Sequence, residues 1–579
     1  MNLSALDAAV LLGALAVFVL YGLWRGRKTR DLQGYLLADH RFAAWAVALS
    51  VMATQAGPVT FLSTPGQGFA DGLRFVQFYF GLPFAMLVLG FTAVPAYARM
   101  KVYTAYEFLE GRFDGRTRTL AAALFLLQRG LSAGITLYAP ALVLSVLLGW
   151  NVGWTCALLG VLAVAYAAWG GSRSVGEAHV LQFSVIMGAM ALAFVLVLRA
   201  LPHGATLGDA TTLARSLGRL NPIQTRFDWN DRYNLWSGLI GGFFLQLSYF
   251  GADQSQVGRY LGGRSVRDSR LGLFVNGIVK VPMQYGILFL GVMVAVFYLF
   301  TPAPLFFNPV ATEHVASGPF APQWRALDAR HAQVAARTAA AAEAFVHARH
   351  AHDAARVARA TAALAAARAD DRALRGQTAA LIQRADPGAQ TSDTNYVFLW
   401  FVLHVLPRGV VGLVLAAIFA ASMNSSSSEL NALASTSMVD VVRRVRGPRA
   451  PQADVRTSRW LTVGWMAFAV GFAEYASRLG SLIEAVNILG SLFYGTILGM
   501  FVTAFALPRV GGRAVCAGAV IAEAAVLACF HYTTISFLWY NALGCLLVMA
   551  GGLAFSFVWP RENVALAPAA RPAPETAGA

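Results

Sequence analysis

Charged residues are scarce in this chain. Asp, Glu, Lys and Arg make up 13% of its 579 residues, whereas a soluble domain carries about 25%. Hydrophobic residues make up 57%, and the mean hydropathy is +0.56. This composition excludes a soluble globular protein and predicts a polytopic protein embedded in a lipid bilayer. The net charge of +16 comes from Lys and Arg in short loops between apolar runs, so it does not indicate a nucleic-acid partner.

Cysteine is also scarce. The four cysteines, Cys156, Cys516, Cys529 and Cys545, lie in apolar runs and form no CxxC pair. This pattern is typical of small buried side chains rather than of disulfides or metal ligands. The sequence also lacks a Walker motif and a recognisable catalytic constellation. We therefore expect neither enzyme activity nor a cofactor.

Thirteen apolar segments are predicted to cross the membrane. The first has no basic residues before it, which argues against a cleaved signal peptide, and basic residues at Arg25–Arg30 follow it directly. Basic loops face the cytoplasm, so an odd count puts Met1 outside and Ala579 inside the plasma (inner) membrane. The predicted spans are Leu6–Trp24, Ala44–Gly66, Phe75–Ala98, Leu120–Leu148, Trp154–Trp169, Val180–Leu198, Leu235–Ala252, Leu271–Phe300, Leu406–Ser435, Leu461–Tyr475, Leu482–Leu507, Cys516–Phe530 and Phe537–Phe557.

The span Leu406–Ser435 contains an unusual polar run, Asn424–Ser428. Such side chains are costly in hydrocarbon unless they face a polar partner. They could mediate close helix–helix packing, as small polar residues do in membranes. Alternatively, they could form a cation site, because hard cations prefer oxygen ligands. The run alone leaves both interpretations open.

Helix breakers occur in the second and seventh spans. The second contains Gly57-Pro58, and the seventh contains Gly241, Gly242 and Gly251. A mid-membrane break frees backbone carbonyls, although Gly57-Pro58 could also be a simple kink. The two spans lie five apart, which is the spacing of an inverted repeat of five helices whose halves each open with a broken helix.

Residues 313–394 form an Ala- and Arg-rich insert between spans, outside the cell by the span count. We expect one or two long helices, and the seven-residue spacing of Val357 and Leu364 is consistent with a hairpin coiled coil. His347, His350 and His352 indicate a solvated helix face rather than a metal site, since no acidic or Cys partner has matching spacing. The expected organisation is a membrane core at 1–312 and 395–560, the insert at 313–394, and a disordered cytoplasmic tail at 561–579.

Several motifs resemble the sodium:solute symporter family. They are Leu406–Ser435 with its Leu430-Asn431 pair, TAYEFLEGRFDGRTR at 104–118, DQSQVGRYLGGRSVRDSR at 253–270 and FLWYNALG at 537–544, all in family order. The resemblance implies an all-α LeuT-type fold with a 5+5 inverted repeat and about 13 transmembrane helices. It also implies sodium-coupled import, by alternating access, of a small polar solute such as a sugar, a carboxylate or a related metabolite.

The resemblance assigns residues to both ligands. For sodium, the coupling ion, it implies the backbone carbonyls of Ala53, Ala56 and Ala421 and the side chains of Asn424 and Ser425. For the solute it implies Thr60, Tyr79, Ser132, Gln246, Tyr249, Lys280 and Asn487, with Tyr249 as an inner lid. Each solute residue could equally make an interhelical hydrogen bond. Arg129 would either pair with a carboxylate such as Glu484 or bind an anionic solute.

A second sodium site of some family members uses an Asp that follows a Gly-Gly pair. Here the pair is Gly170-Gly171, and His179 stands at the Asp position. An imidazole is a poor partner for a hard alkali ion, and Glu177 points about 200° away on a helix. The sequence thus predicts one sodium per transport cycle. The alternatives are a transporter-like membrane sensor and a proton-coupled symporter of the same fold.

Overall fold

The computed structural model describes residues 3–26, 42–100, 102–202, 204–447, 450–476 and 480–559, except for the side chains of 22, 23, 25, 26, 165–178 and 451. Within these residues the chain is helical and has no β-strand, only an isolated bridge between Phe42 and Gly263. The prediction of an all-α protein is confirmed. The basic side chains at Arg25–Arg30 and the tail 561–579 lie outside the described residues.

Twenty-two α-helices follow one another along the described residues. They are α1 Ala5–Gly26, α2 Ala44–Gln55, α3 Pro58–Asp71, α4 Leu82–Phe91, α5 Ala93–Met100, α6 Ala105–Arg112, α7 Gly115–Leu148, α8 Val152–Arg199, α9 Leu207–Ser216, α10 Gly242–Gly251, α11 Gln254–Leu261, α12 Val266–Phe300, α13 Pro309–Ser317, α14 Ala321–His350, α15 Ala354–Ala385, α16 Thr394–Val405, α17 Val410–Thr436, α18 Arg443–Arg446, α19 Pro451–Ala476, α20 Leu482–Ala506, α21 Gly512–Tyr532 and α22 Leu538–Ser556. Arg74–Tyr79 is a 3-10 helix, and Ser237–Gly241 and Ser437–Val442 are π-helical.

Each of the thirteen predicted spans lies in a helical part of the structure. Eight helices of the described chain are long and apolar enough to cross a membrane, and a bent pair makes a ninth. The fifth and sixth predicted spans differ from expectation because both lie within the single helix α8, Val152–Arg199. No proline interrupts this stretch, so its backbone can keep helical hydrogen bonds throughout.

The second span is broken where the sequence predicted it. Helix α2 ends at Gln55, α3 starts at Pro58, and the two axes differ by 64°. Proline suits the first position of α3 because its missing N–H would have no helical partner there. A Cβ on Gly57 would lie 2.5 Å from the Ser425 hydroxyl, so glycine permits the break to approach α17 closely.

The seventh span is interrupted next to Gly251, the last of its three predicted breakers, and not at Gly241 or Gly242. The helix continues through Gly241 and Gly242 as a π-turn and ends at Gly251, and α11 begins only after Asp253. A Cβ at Gly241 would collide with the backbone of Leu538. This glycine therefore allows close helix packing, while the interruption falls at Ala252–Asp253.

Helix α17 lies at the centre of the molecule. It packs against α1, α7, α8 and α19 and against both halves of the broken helix. Its first N–H groups are satisfied by α1, where the Asp7 carboxylate accepts from Gly409 N at 2.6 Å and Gly412 N at 3.0 Å. Every residue of its polar run, Asn424–Ser428, is less than 5% exposed. The polar run therefore faces protein rather than lipid.

The insert folds as a helical hairpin of α14 and α15. Leu364 is buried and Val357, seven residues earlier, is half-buried, in line with the predicted spacing of this pair. The hairpin rests on α9 and α12, and Arg349 and His350 contact the Asp209 carboxylate of α9. The insert is thereby tied to the membrane domain, and we refer to the end of the domain that carries it as the insert side.

Candidate functional site

The candidate cation site lies where the open end of α2 meets α17. The last carbonyls of a helix have no intrahelical donors, and the break places those of Ala53 and Ala56 at such an end. Ser425 Oγ donates to the Thr54 carbonyl at 3.2 Å, and the Thr54 and Ser428 hydroxyls lie 3.1 Å apart. These hydrogen bonds hold α2 against the polar run of α17.

The five predicted sodium ligands lie on these two elements and are all buried. The Asn424 amide has no hydrogen-bond partner among the described residues, and neither its oxygen nor its nitrogen is exposed. Ala421 lies one turn earlier on the same helix. An unpartnered buried amide oxygen costs free energy unless a ligand satisfies it. Neutral carbonyl, amide and hydroxyl oxygens are a donor set that fits a hard alkali cation.

A cavity of about 90 Å³ adjoins this site, beside the break. Six of the eight predicted solute residues line it, together with Ser425. They are Thr60, Tyr79, Arg129, Gln246, Tyr249 and Asn487. Both polar atoms of the Gln246 amide lack a hydrogen-bond partner in the described chain, so this side chain can both donate to and accept from a solute.

Ser132 and Lys280 are not among the residues that line the cavity, so their assignment to the solute stays a prediction. Thr136 of α7 lines the cavity, whereas Ser132 does not. On an α-helix Thr136, seven residues after Arg129, lies on nearly the same face as Arg129. Ser132, three residues after Arg129, is rotated by about 60° from it. The Lys280 ammonium lies 5.7 Å from the centre of the Tyr79 ring. Tyr79 lines the cavity and Lys280 does not.

Arg129 belongs to a buried ionic cluster at the cavity wall. Its guanidinium donates to Glu429 at 3.1 Å, to Tyr494 at 2.6 Å and to Asp253. Arg129 therefore pairs with carboxylates, which is one of its two predicted roles. Glu484, the example given for such a partner, is not among them, because that carboxylate accepts from Arg232 at 2.6 Å. Helix packing brings Asp253, Glu429 and Tyr494 to Arg129 of α7. These residues are far apart in the sequence, so the sequence alone does not indicate the contact.

The two carboxylates of the cluster differ in whether one of their oxygens lacks a hydrogen-bond partner. Asp253 also accepts from Tyr494 and from the backbone and hydroxyl of Ser255. Glu429 Oε1 accepts from Arg129 and Thr136, whereas Oε2 is buried without a hydrogen-bond partner in the described chain. Glu429 lines the cavity. Sequence reasoning missed both acids. Glu429 lies inside a predicted span, where a carboxylate is itself a signal for a functional site, whereas Asp253 directly follows a predicted span.

Tyr249 and His179 occupy distinct positions near the site. The Tyr249 hydroxyl accepts from Gln256 at 2.7 Å, and the Arg129 guanidinium lies 5.5 Å above its ring. His179 is buried, with Nδ1 at 3.3 Å from the Ser50 hydroxyl and with the Asn424 backbone beside it. The residue at the predicted second-site position therefore lies next to α17. The Glu177 side chain lies outside the described residues.

Known proteins resemble the chain over most of its length. The sodium/sialic acid symporter SiaT of Proteus mirabilis is 22% identical, and the match covers 97% of each chain. The sodium-dependent multivitamin transporter of Oryctolagus cuniculus is 25% identical over 83% of this chain and 63% of its own. The solved substrate-bound, outward-open structure of a Na⁺-coupled sialic acid symporter superimposes with a TM-score of 0.75 at 20% identity, covering 96% of this chain and 98% of that one. The superposition confirms the LeuT-type fold.

The family assignment rests on more than this likeness in fold. The model of the sodium:solute symporter family matches residues 35–522, which include the broken helix, Arg129, Asp253 and the polar run of α17. The chain belongs to the sodium:solute symporter family.

Proposed function

We propose that this protein is a secondary symporter that imports a small polar solute together with sodium. The observation that carries the proposal is the position of Ser425, which lines the solute cavity and also bonds to the open end of α2. Ion and solute would thus meet on the same turn of α17. One sodium moving down 100 mV supplies about 2.3 kcal/mol, enough for roughly 50-fold accumulation of a neutral solute.

The break between α2 and α3 would couple sodium binding to solute binding. A sodium ion at the predicted carbonyls and at Asn424 and Ser425 would fix α2 and α17 relative to each other. Helix α3 begins at this break and presents Thr60 to the cavity. Sodium would therefore order the wall that binds the solute, and the solute would in turn favour the sodium-bound arrangement.

We expect Ser425→Ala to raise the sodium concentration for half-maximal uptake several-fold, because one oxygen ligand is lost. Uptake of a labelled substrate as a function of sodium, in proteoliposomes, measures this. Ser435→Ala is the matched control, since that hydroxyl donates to the Ala432 carbonyl of its own helix. Equal sodium dependence of the Ser425 variant and the parent protein would remove Ser425 from the site.

A second prediction concerns stoichiometry. His179 replaces a carboxylate at the position of the second site, so we expect a Hill coefficient for sodium near one. Initial uptake rates over a wide range of sodium concentrations give this coefficient. Cooperative activation that disappears in Glu177→Gln would contradict one sodium per cycle and would identify Glu177 as the missing carboxylate.

The cavity also favours a class of solute. Arg129 is held by Asp253 and Glu429, and of these two carboxylates Glu429 lines the cavity. The free oxygen of Glu429 is an acceptor at the cavity. We infer that the solute presents a hydroxyl or ammonium donor to Glu429. Proton coupling is the second candidate function, because the same oxygen could carry a proton.

The variant Glu429→Gln distinguishes a Glu429 that binds the solute from a Glu429 that carries a proton. Loss of a charged hydrogen bond should raise KM for the solute about 10- to 100-fold, with the sodium dependence unchanged. Glu523→Gln is the control, since Glu523 is a glutamate of another span, α21, that does not line the cavity. If sodium-free uptake driven by a pH gradient occurs in the parent protein and is lost in Glu429→Gln, proton coupling replaces sodium coupling.

The proposed orientation places the insert and Met1 outside the cell and Ala579 inside, in the plasma (inner) membrane. A cysteine at Ala340, which is exposed on α14, should react with a membrane-impermeant maleimide in intact cells. A cysteine at Val445, which is 79% exposed, should react only after the membrane is opened. The reverse pattern would overturn the orientation.

A further inference from the structure

A second cavity lies between the insert and the membrane domain on the insert side. Its volume is about 330 Å³, and its wall is formed by α14 and α15 together with the ends of α3 and α12. It shares no lining residue with the solute cavity. The insert therefore creates a separate site.

Positive side chains dominate this wall. Four arginines and two aspartates line it, and they come from the insert, from the segment after α9 and from the segment before α16. They are Arg219, Arg368, Arg372, Arg375, Asp371 and Asp393.

Both aspartates are already engaged. The Asp371 carboxylate accepts from Arg375 at 3.2 Å and lies 3.3 Å from His331. The Asp393 carboxylate accepts from the Phe307 backbone at 2.8 Å and from Arg375 at 3.4 Å. Arg375 also donates to a backbone carbonyl and lies 5.2 Å above the Phe307 ring. This arginine and the two acids thus form a closed network.

The other three arginines have no carboxylate bonded to them among the described residues. Arg219 donates to the Phe69 carbonyl, and Arg372 Nε donates to the Arg368 carbonyl at 3.3 Å. Arg368 and Arg372 are four residues apart on α15, where like charges repel each other. Burial and then the nearby Arg368 lower the pKa of Arg219 to about 9, although Asp71 opposes this shift. Burial and then Arg372 lower the pKa of Arg368.

We propose that this cavity binds an anion through its carboxylate or phosphate oxygens, with Arg219, Arg368 and Arg372 as its ligands. The planar guanidinium matches both groups in geometry, and its hydrogen bonds to them are charge-assisted. A bound anion would also remove the repulsion among three arginines on one wall. A volume of 330 Å³ is at the lower end of ligand pockets and suits a phosphate or a small polycarboxylate. Through Arg219 and the Phe69 carbonyl, the site adjoins the end of the broken helix.

Citrate and inorganic phosphate are the probes. The purified full-length chain, in zwitterionic detergent without sodium, is titrated with each anion at an ionic strength held constant with chloride. We expect at least one anion to raise the melting temperature and to give a calorimetric Kd. Arg368→Gln and Arg372→Gln should each weaken this Kd about tenfold or more, because each loses a charge-assisted hydrogen bond. The melting temperature of the anion-free variants should not fall, since repulsion is relieved.

Arg359→Gln is the matched control, because Arg359 is exposed on the same helix and does not line the cavity. The proposal fails if neither anion stabilises the parent protein, or if the cavity variants bind as the control does. The assay needs neither sodium nor transport, so its failure leaves the symport proposal intact.

Nanodiscs identify the source of the anion. If phosphatidylglycerol blocks citrate binding to the parent protein and phosphatidylcholine does not, a lipid phosphate occupies the same arginines. If both lipids permit binding, the ligand is a soluble anion. Either result supports the site when Arg372→Gln removes the effect.

Discussion

The open end of α2 is the constraint on which the rest of the structure depends. A helix that ends in the membrane leaves carbonyls that water cannot satisfy, and each costs several kcal/mol if it stays unpaired. The chain meets this requirement with α17, whose Ser425 donates to the Thr54 carbonyl. The contact requires glycine at position 57. It also requires a buried polar run on α17, which would be unfavourable toward lipid.

The surrounding helices support this contact. Asp7 satisfies the first N–H groups of α17 from α1, so α17 can begin close to that helix. On the other side of the break, Arg129 ties α7 to Glu429 of α17 and to Asp253, at the interruption of the seventh span. A single guanidinium thus links α17, which packs on the first break, to the interruption of the seventh span. Removing one partner of such a buried cluster leaves an uncompensated charge, which typically costs 3–5 kcal/mol.

The insert and the membrane domain together form a cavity that is separate from the solute cavity. The hairpin is stabilised by its own buried residues, such as Leu364, and it contacts α9 through Arg349 and Asp209. Only when it rests on the membrane domain do Arg368 and Arg372 line the same cavity as Arg219. An anion site at this junction would adjoin the broken helix without sharing any residue of the solute cavity.

The sequence by itself determined what depends on local order along the chain. Composition identified a polytopic membrane protein, Gly57-Pro58 located the break, and the run Asn424–Ser428 marked the helix that packs on it, because periodicity and backbone chemistry are encoded locally. Pairing between helices required the tertiary structure. One partner of Arg129, Glu429, is 300 residues away in the sequence. Lys280 lies near the Tyr79 ring but does not line the cavity. The three insert-side arginines come from segments that are far apart in the sequence. Side-chain partners across a membrane core depend on the rotation and depth of each helix, and packing alone sets both.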